Sequence, residues 1–412
     1  MRNLEPRLRL YAELLVSRGV SVQPGQELVV TAPVEAAHFA RMVVAAGYEA
    51  GAGHVTLIWN DDELARLEYD NCPLETFQNI PSWKAEQMNS LARGGACFLW
   101  LDGADPDALA DVDPAKPAAR AKASNLACRD YRHGLDFGEN AWSIGGVPVA
   151  SWARKVFPDI SEHEAVYRLW EAILDVARVV DDDPESVWET HDAALVKCKR
   201  ILNEHHFAKL RYTSSNGTDL TIGMTSGHIW EGGAARTKAG VSFFPNMPTE
   251  EVFTTPDRMR ADGVVHSVLP LVHNGSVVRD FWLRFEAGRV VEYGAEMGES
   301  VLRSILETDS GARRLGECAL ISKNTPIRQS GLLFYNTLYD ENASCHLALG
   351  KGFPDCYAGG VDMSEQRLLE AGVNDSATHV DFMIGADDLD VVGITALGEE
   401  VPLFVHGQWS WE

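Results

Sequence analysis

Carboxylate and imidazole side chains interrupt four otherwise apolar stretches in the second half of this sequence. The stretches are FPNMPTEEVFTTP with Glu250 and Glu251, ARRLGECALI with Glu317, NTLYDENASCHLALG with Asp340, Glu341, Asn342 and His346, and ATHVDFMIG with His379 and Asp381. A polar group in an apolar setting costs free energy unless something binds it. Metal ions would satisfy these groups, and so would a structural network of hydrogen bonds.

The spacing within two of the stretches would bring donors together. His379 and Asp381 are two residues apart, so in a strand they would project from the same face. Glu341 and His346 would reach one cavity if their stretch were helical, although they would not share a helix stripe. Each group also has a simpler interpretation. Glu317 fits a solvated strand end, Glu250 and Glu251 fit an exposed loop, and His379 fits a hydrogen-bonded core histidine.

If the four stretches converge, they supply more donors than one catalytic zinc ion uses, which typically takes three protein ligands. So many carboxylates would repel one another without cations between them. The set suits a two-metal site with ions about 3.5–4 Å apart and a bridging carboxylate. Such a site activates water and polarises a carbonyl group, which favours hydrolysis. Residue types alone do not distinguish Glu250 from Glu251 as the ligand.

The first hundred residues alternate between helical and strand patterns, which predicts a parallel sheet with covering helices. QELVVTAP, HVTLIWN and ACFLWL have the composition of strands, and helix-like stretches separate them. No G-x-G-x-x-G follows a strand, so a dinucleotide site has no support. We therefore expect an N-terminal α/β domain over residues 1–108.

The remaining residues, 109–412, are expected to form a larger α+β catalytic domain. SEHEAVYRLWEAILDVARVV predicts an amphipathic helix with Ser161 as its N-cap. From residue 206 the patterns are typical of antiparallel strands, with Asn216-Gly217 as a hairpin turn. Helical patterns return at 298–314.

Composition excludes several classes of partner. The chain has 412 residues and a net charge of −24, which makes nucleic acid a poor partner. No apolar run approaches the roughly 18 residues of a membrane span. MRNLEPRLRLYAELL predicts a first helix, since it lacks the apolar core of a signal peptide.

The seven cysteines indicate free thiols and a cytoplasmic location, because their number is odd and their spacing is wide. Cys345, beside His346, fits a ligand or nucleophile, but also a small buried residue.

Taken together, several motifs resemble the metallo-aminopeptidase family of aminopeptidase T and aminopeptidase S. They occur in the same order from about residue 22 almost to the C-terminus: QPGQELVV, WARKVFPD, NGTDLTIGM, FPNMPTEEVFTTPDR, LGECAL, LFYNTLYDENASCHLALG and HVDFMIG. The resemblance implies a two-domain homodimer that encloses a large cavity and releases N-terminal residues from peptides. It implies two divalent ions, zinc or cobalt before manganese or magnesium. Its metal ligands correspond to Glu251, Glu317, Glu341, His346, His379 and Asp381.

The sequence departs from that family pattern at Phe353, where the pattern usually has a tyrosine near the metals. A phenol can donate a hydrogen bond to a developing oxyanion, whereas a phenyl ring cannot. Two other functions therefore stay open. His346, His379 and one acid would suit a mononuclear non-haem iron oxygenase on a related fold. A metal-free binding or scaffold protein is the third hypothesis.

Overall fold

One parallel sheet and three antiparallel sheets, one of them with only two strands, occur in a computed structural model that describes residues 3–180, 183–273 and 276–412. The chain divides into two units. The first comprises Met1–Thr190 and Ala234–Pro248, and the second comprises His191–Gly233 and Thr249–Glu412.

Fourteen α-helices lie in the described residues. They are α1 Glu5–Leu14, α2 Ala37–Glu49, α3 Asp62–Asn71, α4 Leu74–Phe77, α5 Ser82–Arg93, α6 Ala115–Ala127, α7 Arg129–Asp136, α8 Ala150–Val156, α9 Glu162–Val176, α10 Pro184–His205, α11 Glu299–Leu306, α12 Pro326–Ser330, α13 Thr337–Glu341 and α14 Glu365–Glu370.

Twenty strands occur in the same part of the chain. They are β1 Glu27–Pro33, β2 His54–Asn60, β3 Cys97–Asp102, β4 Trp142–Gly146, β5 Lys209–Thr213, β6 Asp219–Met224, β7 Ala235–Arg236, β8 Ser242–Phe243, β9 Asn246–Met247, β10 Val252–Thr254, β11 Pro256–His266, β12 Leu271–His273, β13 Ser276–Glu286, β14 Arg289–Met297, β15 Leu315–Leu320, β16 His346–Gly350, β17 His379–Met383, β18 Asp390–Ile394, β19 Glu400–Val405 and β20 Gln408–Trp409.

The first unit contains a five-stranded parallel sheet in the order β2-β1-β3-β4-β9. The central strands β1 and β3 are buried along most of their length, as parallel strands covered by helices are. The predicted α/β fold of this part is confirmed. The unit extends beyond the predicted boundary at residue 108, because β4 pairs with β3 and β9 pairs with β4.

The second unit contains two antiparallel sheets. One has nine strands in the order β12-β13-β11-β6-β5-β18-β19-β20, with β14 also paired to β13, and the other has the order β10-β15-β16-β17. A hydrophobic core includes side chains from both sheets. Phe281 of β13 and Phe382 of β17 meet in this core with ring centroids 5.7 Å apart. The α+β prediction for this part is confirmed.

Local sequence signals account for several element boundaries. Asn216-Gly217 joins β5 and β6 as predicted, and Gly217 has the positive φ of +102° that such turns require. Ser161 caps α9, since its hydroxyl accepts a hydrogen bond from the Glu164 backbone N–H at 3.4 Å. Helix α1 covers most of the N-terminal stretch predicted to be helical.

In the described part of the chain, no helix combines the length and apolar character needed to cross a bilayer. All seven cysteines lie in that part and are free thiols.

Leu347 tests the packing of the core behind β16. Its side chain is fully buried in the hydrophobic core of the second unit. We expect Leu347→Ala to lower the free energy of unfolding by about 2–5 kcal/mol, because the truncation leaves a cavity. Denaturant unfolding followed by circular dichroism measures this loss. Leu347→Met, which conserves volume, should cost less than about 1.5 kcal/mol, and equal losses for both variants would contradict the packing described here.

Candidate metal centre

The four-stranded sheet β10-β15-β16-β17 has one apolar face and one polar face. Val252, Leu320, Leu347 and Phe382 belong to the hydrophobic core. Successive side chains of a strand point to opposite faces, so the intervening residues lie on the other face. The polar residues of the four sequence stretches therefore share a surface that the core does not use.

Strand register determines which residues adjoin on this polar face. Residues paired across antiparallel strands project on the same side. One row is Phe253–Ala319–His346–Met383, a second is Glu317–Ala348–Asp381, and a third is Gly350–His379. Glu251 precedes Phe253 by two residues and extends the first strand of this surface. Four of the six predicted ligands thus follow from the register of a single sheet, and Glu251 lies directly before its first strand.

A bulge at Gly316 gives Glu317 its direction. Leu315 pairs with Leu349, whereas Glu317 pairs with Ala348, so β15 contains one extra residue at this point. Leu315 can therefore enter the core while Glu317, two residues later, joins the polar face. A side chain at position 316 would not fit, because its Cβ would lie 2.2 Å from the Lys351 carbonyl oxygen and 2.4 Å from that of Gly350.

The structure brings five predicted ligands into two groups that share one carboxylate. Glu251, Glu317 and His346 form one group, and Glu317, His379 and Asp381 form the other. Within each group the ligand atoms lie within 4.8 Å of one another. His346 Nε2 is 3.4 Å from Glu251 Oε2 and 3.9 Å from Glu317 Oε1. On the other side, His379 Nε2 is 3.1 Å from Glu317 Oε2 and 3.2 Å from Asp381 Oδ1.

Backbone carbonyls orient both imidazole rings. His346 Nδ1 lies 3.1 Å from the Glu341 carbonyl oxygen, and His379 Nδ1 lies 2.7 Å from that of Lys351. A carbonyl can only accept, so each Nδ1 carries the proton and donates it. Each Nε2 then faces the carboxylates, either as a lone pair in the neutral ring or as an N–H in the imidazolium. A hydrogen bond from Nδ1 to a backbone carbonyl is typical of histidines that ligate a metal through Nε2.

Glu341 lies outside both closely spaced groups but beside them. Its carboxyl has a pKa raised well above the ordinary value by burial and by the negative charges of Asp381 and Glu251. With Asp381 it lines a small cavity of about 20 Å³. Helix α13 ends at Glu341, and His346 begins β16, so the helical interpretation of this stretch is wrong.

The other polar residues of the same stretch have structural roles. Asp340 accepts hydrogen bonds from the backbone N–H groups of Phe334 at 2.8 Å and Asn336 at 3.1 Å. The Asn342 side chain accepts from the Glu250 N–H at 2.7 Å and donates to the Leu338 carbonyl at 2.9 Å. The interpretation as a hydrogen-bonded network is therefore confirmed for Asp340 and Asn342.

The two adjacent glutamates, Glu250 and Glu251, have different surroundings. Both are buried rather than exposed, contrary to the simpler interpretation of this loop. Glu251 lies beside His346 on the polar face. The Glu250 carboxylate lies 3.8 Å from His191 Nε2, and that same nitrogen is 2.7 Å from the Thr249 carbonyl oxygen.

Burial and neighbouring charges shift the pKa values of several groups in the cluster. Burial raises the pKa of Glu251 to about 8, with His346 opposing the shift and Glu317 adding to it. Burial opposes the charged form of His379, but Asp381 and Glu317 raise the pKa of its ring well above the usual value. In the same way burial raises and His379 lowers the pKa of Asp381, and the net shift is downward.

The chemical types of the donor groups indicate whether cations fit this site. Carboxylate and imidazole groups are the ligands that zinc and related divalent ions use. The cluster concentrates negative charge where water is largely excluded, so positive charge must compensate it. Imidazolium protons compensate it in part, and divalent ions would do so more fully. The residues present therefore fit divalent metal ions.

Sequence reasoning missed the small residues between the ligands. Ala319 and Ala348 are fully buried. Ala319 lies between Phe253 and His346, and Ala348 lies between Glu317 and Asp381, where their methyl groups leave space for other atoms. A small residue opposite a predicted ligand would have been the signal, but reading it requires the strand register. Cys345 is a buried core thiol that hydrogen-bonds with the Ile321 backbone at 3.3 Å, as its simpler interpretation states.

Comparison with known proteins identifies the family. The family model described as thermophilic metalloprotease (M29) matches residues 4–409. The chain belongs to this family. Aminopeptidase 2 of Geobacillus stearothermophilus and aminopeptidase AmpS of Bacillus subtilis are each 44% identical to it, over 100% of both chains. The solved structure of wild-type AmpT from Thermus thermophilus superposes with a TM-score of 0.92 and 40% identity, covering 99% of this chain and 100% of that one.

The resemblance drawn from the sequence motifs is therefore confirmed over nearly the whole chain. Membership of the M29 metalloprotease family also agrees with the carboxylate and imidazole cluster on the polar face. Metal use thus has two independent supports, one from relatives and one from the geometry of this chain.

Ala348 tests whether the small residues on the polar face make room for ions. We expect Ala348→Val to lower the number of divalent ions bound per chain, because the added methyl groups project between Glu317 and Asp381. Elemental analysis after dialysis against zinc measures the content. Leu347→Met, on the apolar face of the same strand, is the control and should keep the wild-type content. Full metal content in Ala348→Val would contradict this account of the surface.

Proposed function

We propose that this chain is a dinuclear metal-dependent aminopeptidase that releases N-terminal amino acids from peptides. The observation that carries the proposal is the pair of donor groups that share Glu317 on one buried sheet face. Full-length relatives named as aminopeptidases support the same activity. The proposal thus rests on the arrangement of the donor groups and on membership of a metalloprotease family.

In this proposal each donor group holds one divalent ion. Glu251 and His346 would hold one ion, His379 and Asp381 would hold the other, and Glu317, which belongs to both groups, would serve both. Glu341, placed beside Asp381, completes the six-residue set. Zinc or cobalt suits these oxygen and nitrogen ligands best, and manganese or magnesium would be weaker alternatives. When bound, such ions lower the pKa of water and polarise the carbonyl of the scissile bond.

The protein's own residues select and orient the substrate. The cluster is acidic, and a protonated peptide N-terminus is attracted to it. The carbonyl groups of Glu341 and Lys351 hold the two imidazoles in fixed orientations, so the ligand geometry is already organised before substrate binds. Burial of the cluster excludes bulk water, which strengthens electrostatic interactions with the reacting carbonyl. The phenyl ring of Phe353 adds no hydrogen-bond donor to this set.

The oxygenase hypothesis is less consistent with the site. A mononuclear iron centre needs two histidines and one carboxylate. Here three further carboxylates adjoin such a set, and the two imidazoles belong to different groups joined only by Glu317. A metal-free scaffold would have no use for this concentration of buried charge. The homodimer and the cytoplasmic location remain predictions from the sequence.

A metal titration combined with a peptide panel tests the proposed activity. We expect two zinc or cobalt ions per chain and release of single N-terminal residues, detected by mass spectrometry of the shortened peptides. Peptides with a blocked N-terminal amine are the control and should stay intact. Cleavage of no peptide by protein that has bound two ions would reject the aminopeptidase proposal, and one iron per chain would favour the oxygenase.

Glu317 tests the bridging role. We expect Glu317→Gln to lose at least one ion per chain and to reduce kcat/KM more than about a hundredfold, because the amide removes the charge that both ions would share. Elemental analysis and the peptide assay measure the two effects. Glu307→Gln, an exposed glutamate of the same unit, is the matched control and should match wild type. A Glu317→Gln variant with both ions and full activity would disprove bridging.

A further inference from the structure

Two aromatic rings adjoin the cluster and have no part in holding ions. The Phe353 ring packs against His379 with centroids 4.9 Å apart and planes tilted by 47°. The Phe253 ring meets Phe353 edge to face, with centroids 5.7 Å apart. Phe253 lies on the polar face, in the same row as His346. The polar face therefore carries an apolar border beside His379.

The exposure of the cluster shows from which side a substrate enters. The His379 side chain is 26% exposed and that of Asp381 is 12% exposed. Those of Glu317 and His346 are 5% and 2% exposed. Exposure thus decreases from His379 inwards. A ligand would therefore reach the cluster at the His379 edge, beside which Phe353 lies.

The two rings are only partly buried, although the residues on either side of Phe253 in β10 are fully buried. Val252 and Thr254, on either side of Phe253, are each 0% exposed, whereas Phe253 and Phe353 are half-buried. A ring that served only as packing for His379 would bury both of its faces. Here each ring keeps apolar surface available to a ligand, and burying that surface stabilises the complex.

We propose that Phe253 and Phe353 form an apolar wall that selects peptides with a large apolar N-terminal side chain. This inference rests on the proposed function and specifies its substrate class. In a peptide, the first Cα is bonded to both the α-amine and the carbonyl carbon that the cluster would hold. The first side chain therefore begins within a few ångströms of His379, on which Phe353 packs. Leucine and phenylalanine side chains would bury both their own surface and that of the rings.

The apolar character of the wall also disfavours one class of substrate. An acidic side chain on the first residue would lose hydration against the rings without gaining a hydrogen bond from them. A small side chain such as that of alanine would enter without contacting the wall. The wall therefore predicts a ranking of leucine and phenylalanine above alanine, with aspartate and glutamate last.

Specificity ratios test the wall independently of the overall rate. For the zinc-loaded enzyme we expect kcat/KM to be at least tenfold higher for peptides beginning with leucine or phenylalanine than for those beginning with alanine. Phe253→Ala should reduce this ratio to about threefold or less, with the loss confined to the large apolar substrates. Phe253→Leu, which retains apolar bulk, should keep a ratio above fivefold. Metal content and Tm of each variant are measured alongside, because damage to the cluster would lower all substrates equally.

Binding measurements separate failure of the wall from failure of the proposed function. Calorimetry with free leucine and free alanine on the same zinc-loaded proteins needs no turnover, and we expect leucine to bind at least tenfold tighter to wild type but not to Phe253→Ala. Activity with no preference for leucine, or with lysine or glutamate preferred, would overturn the wall and keep the aminopeptidase. Tighter leucine binding without cleavage would keep the wall and reject the activity. If the protein neither binds leucine nor cleaves peptides, both the wall and the aminopeptidase activity are rejected.

Discussion

The concentration of negative charge on one face of the sheet β10-β15-β16-β17 is the constraint on which the rest of the second unit depends. Carboxylates at this density are stable only next to positive charge. The other face of the same sheet is part of the hydrophobic core, which makes the strands rigid and excludes water from behind them. Rigid strands hold the donors close together, and their closeness is what would make cation binding favourable.

The residues around the cluster support it in three different ways. Asp340 and Asn342 satisfy backbone groups and so hold the segments that precede β10 and β16. Backbone carbonyls bind one nitrogen of each imidazole and leave the other for the cluster. Ala319 and Ala348 supply volume instead of donors. Polar residues that looked alike in the sequence therefore act either on the proposed ions or on the chain that positions them.

Several features could be predicted from sequence because they depend on neighbours along the chain. The period-two pattern of HVDFM places His379 and Asp381 on one face, and Asn216-Gly217 marks a hairpin. The alternation of strands and helices in the first hundred residues predicts the parallel sheet. The helical interpretation of the stretch from Glu341 to His346 was wrong, because the residue pattern did not reveal the turn between α13 and β16. The extent of the first unit depends on β4 and β9, which join the sheet from distant parts of the chain.

The sequence by itself determined which types of donor this chain possesses, its family, and the local faces of its strands. Tertiary structure alone decided how those donors combine. It placed Glu251 rather than Glu250 beside His346, turned Glu317 between the two groups through the bulge at Gly316, and set Phe253 and Phe353 beside His379. The physical reason is that antiparallel register pairs residues far apart in the chain, and no local pattern encodes which residues will pair.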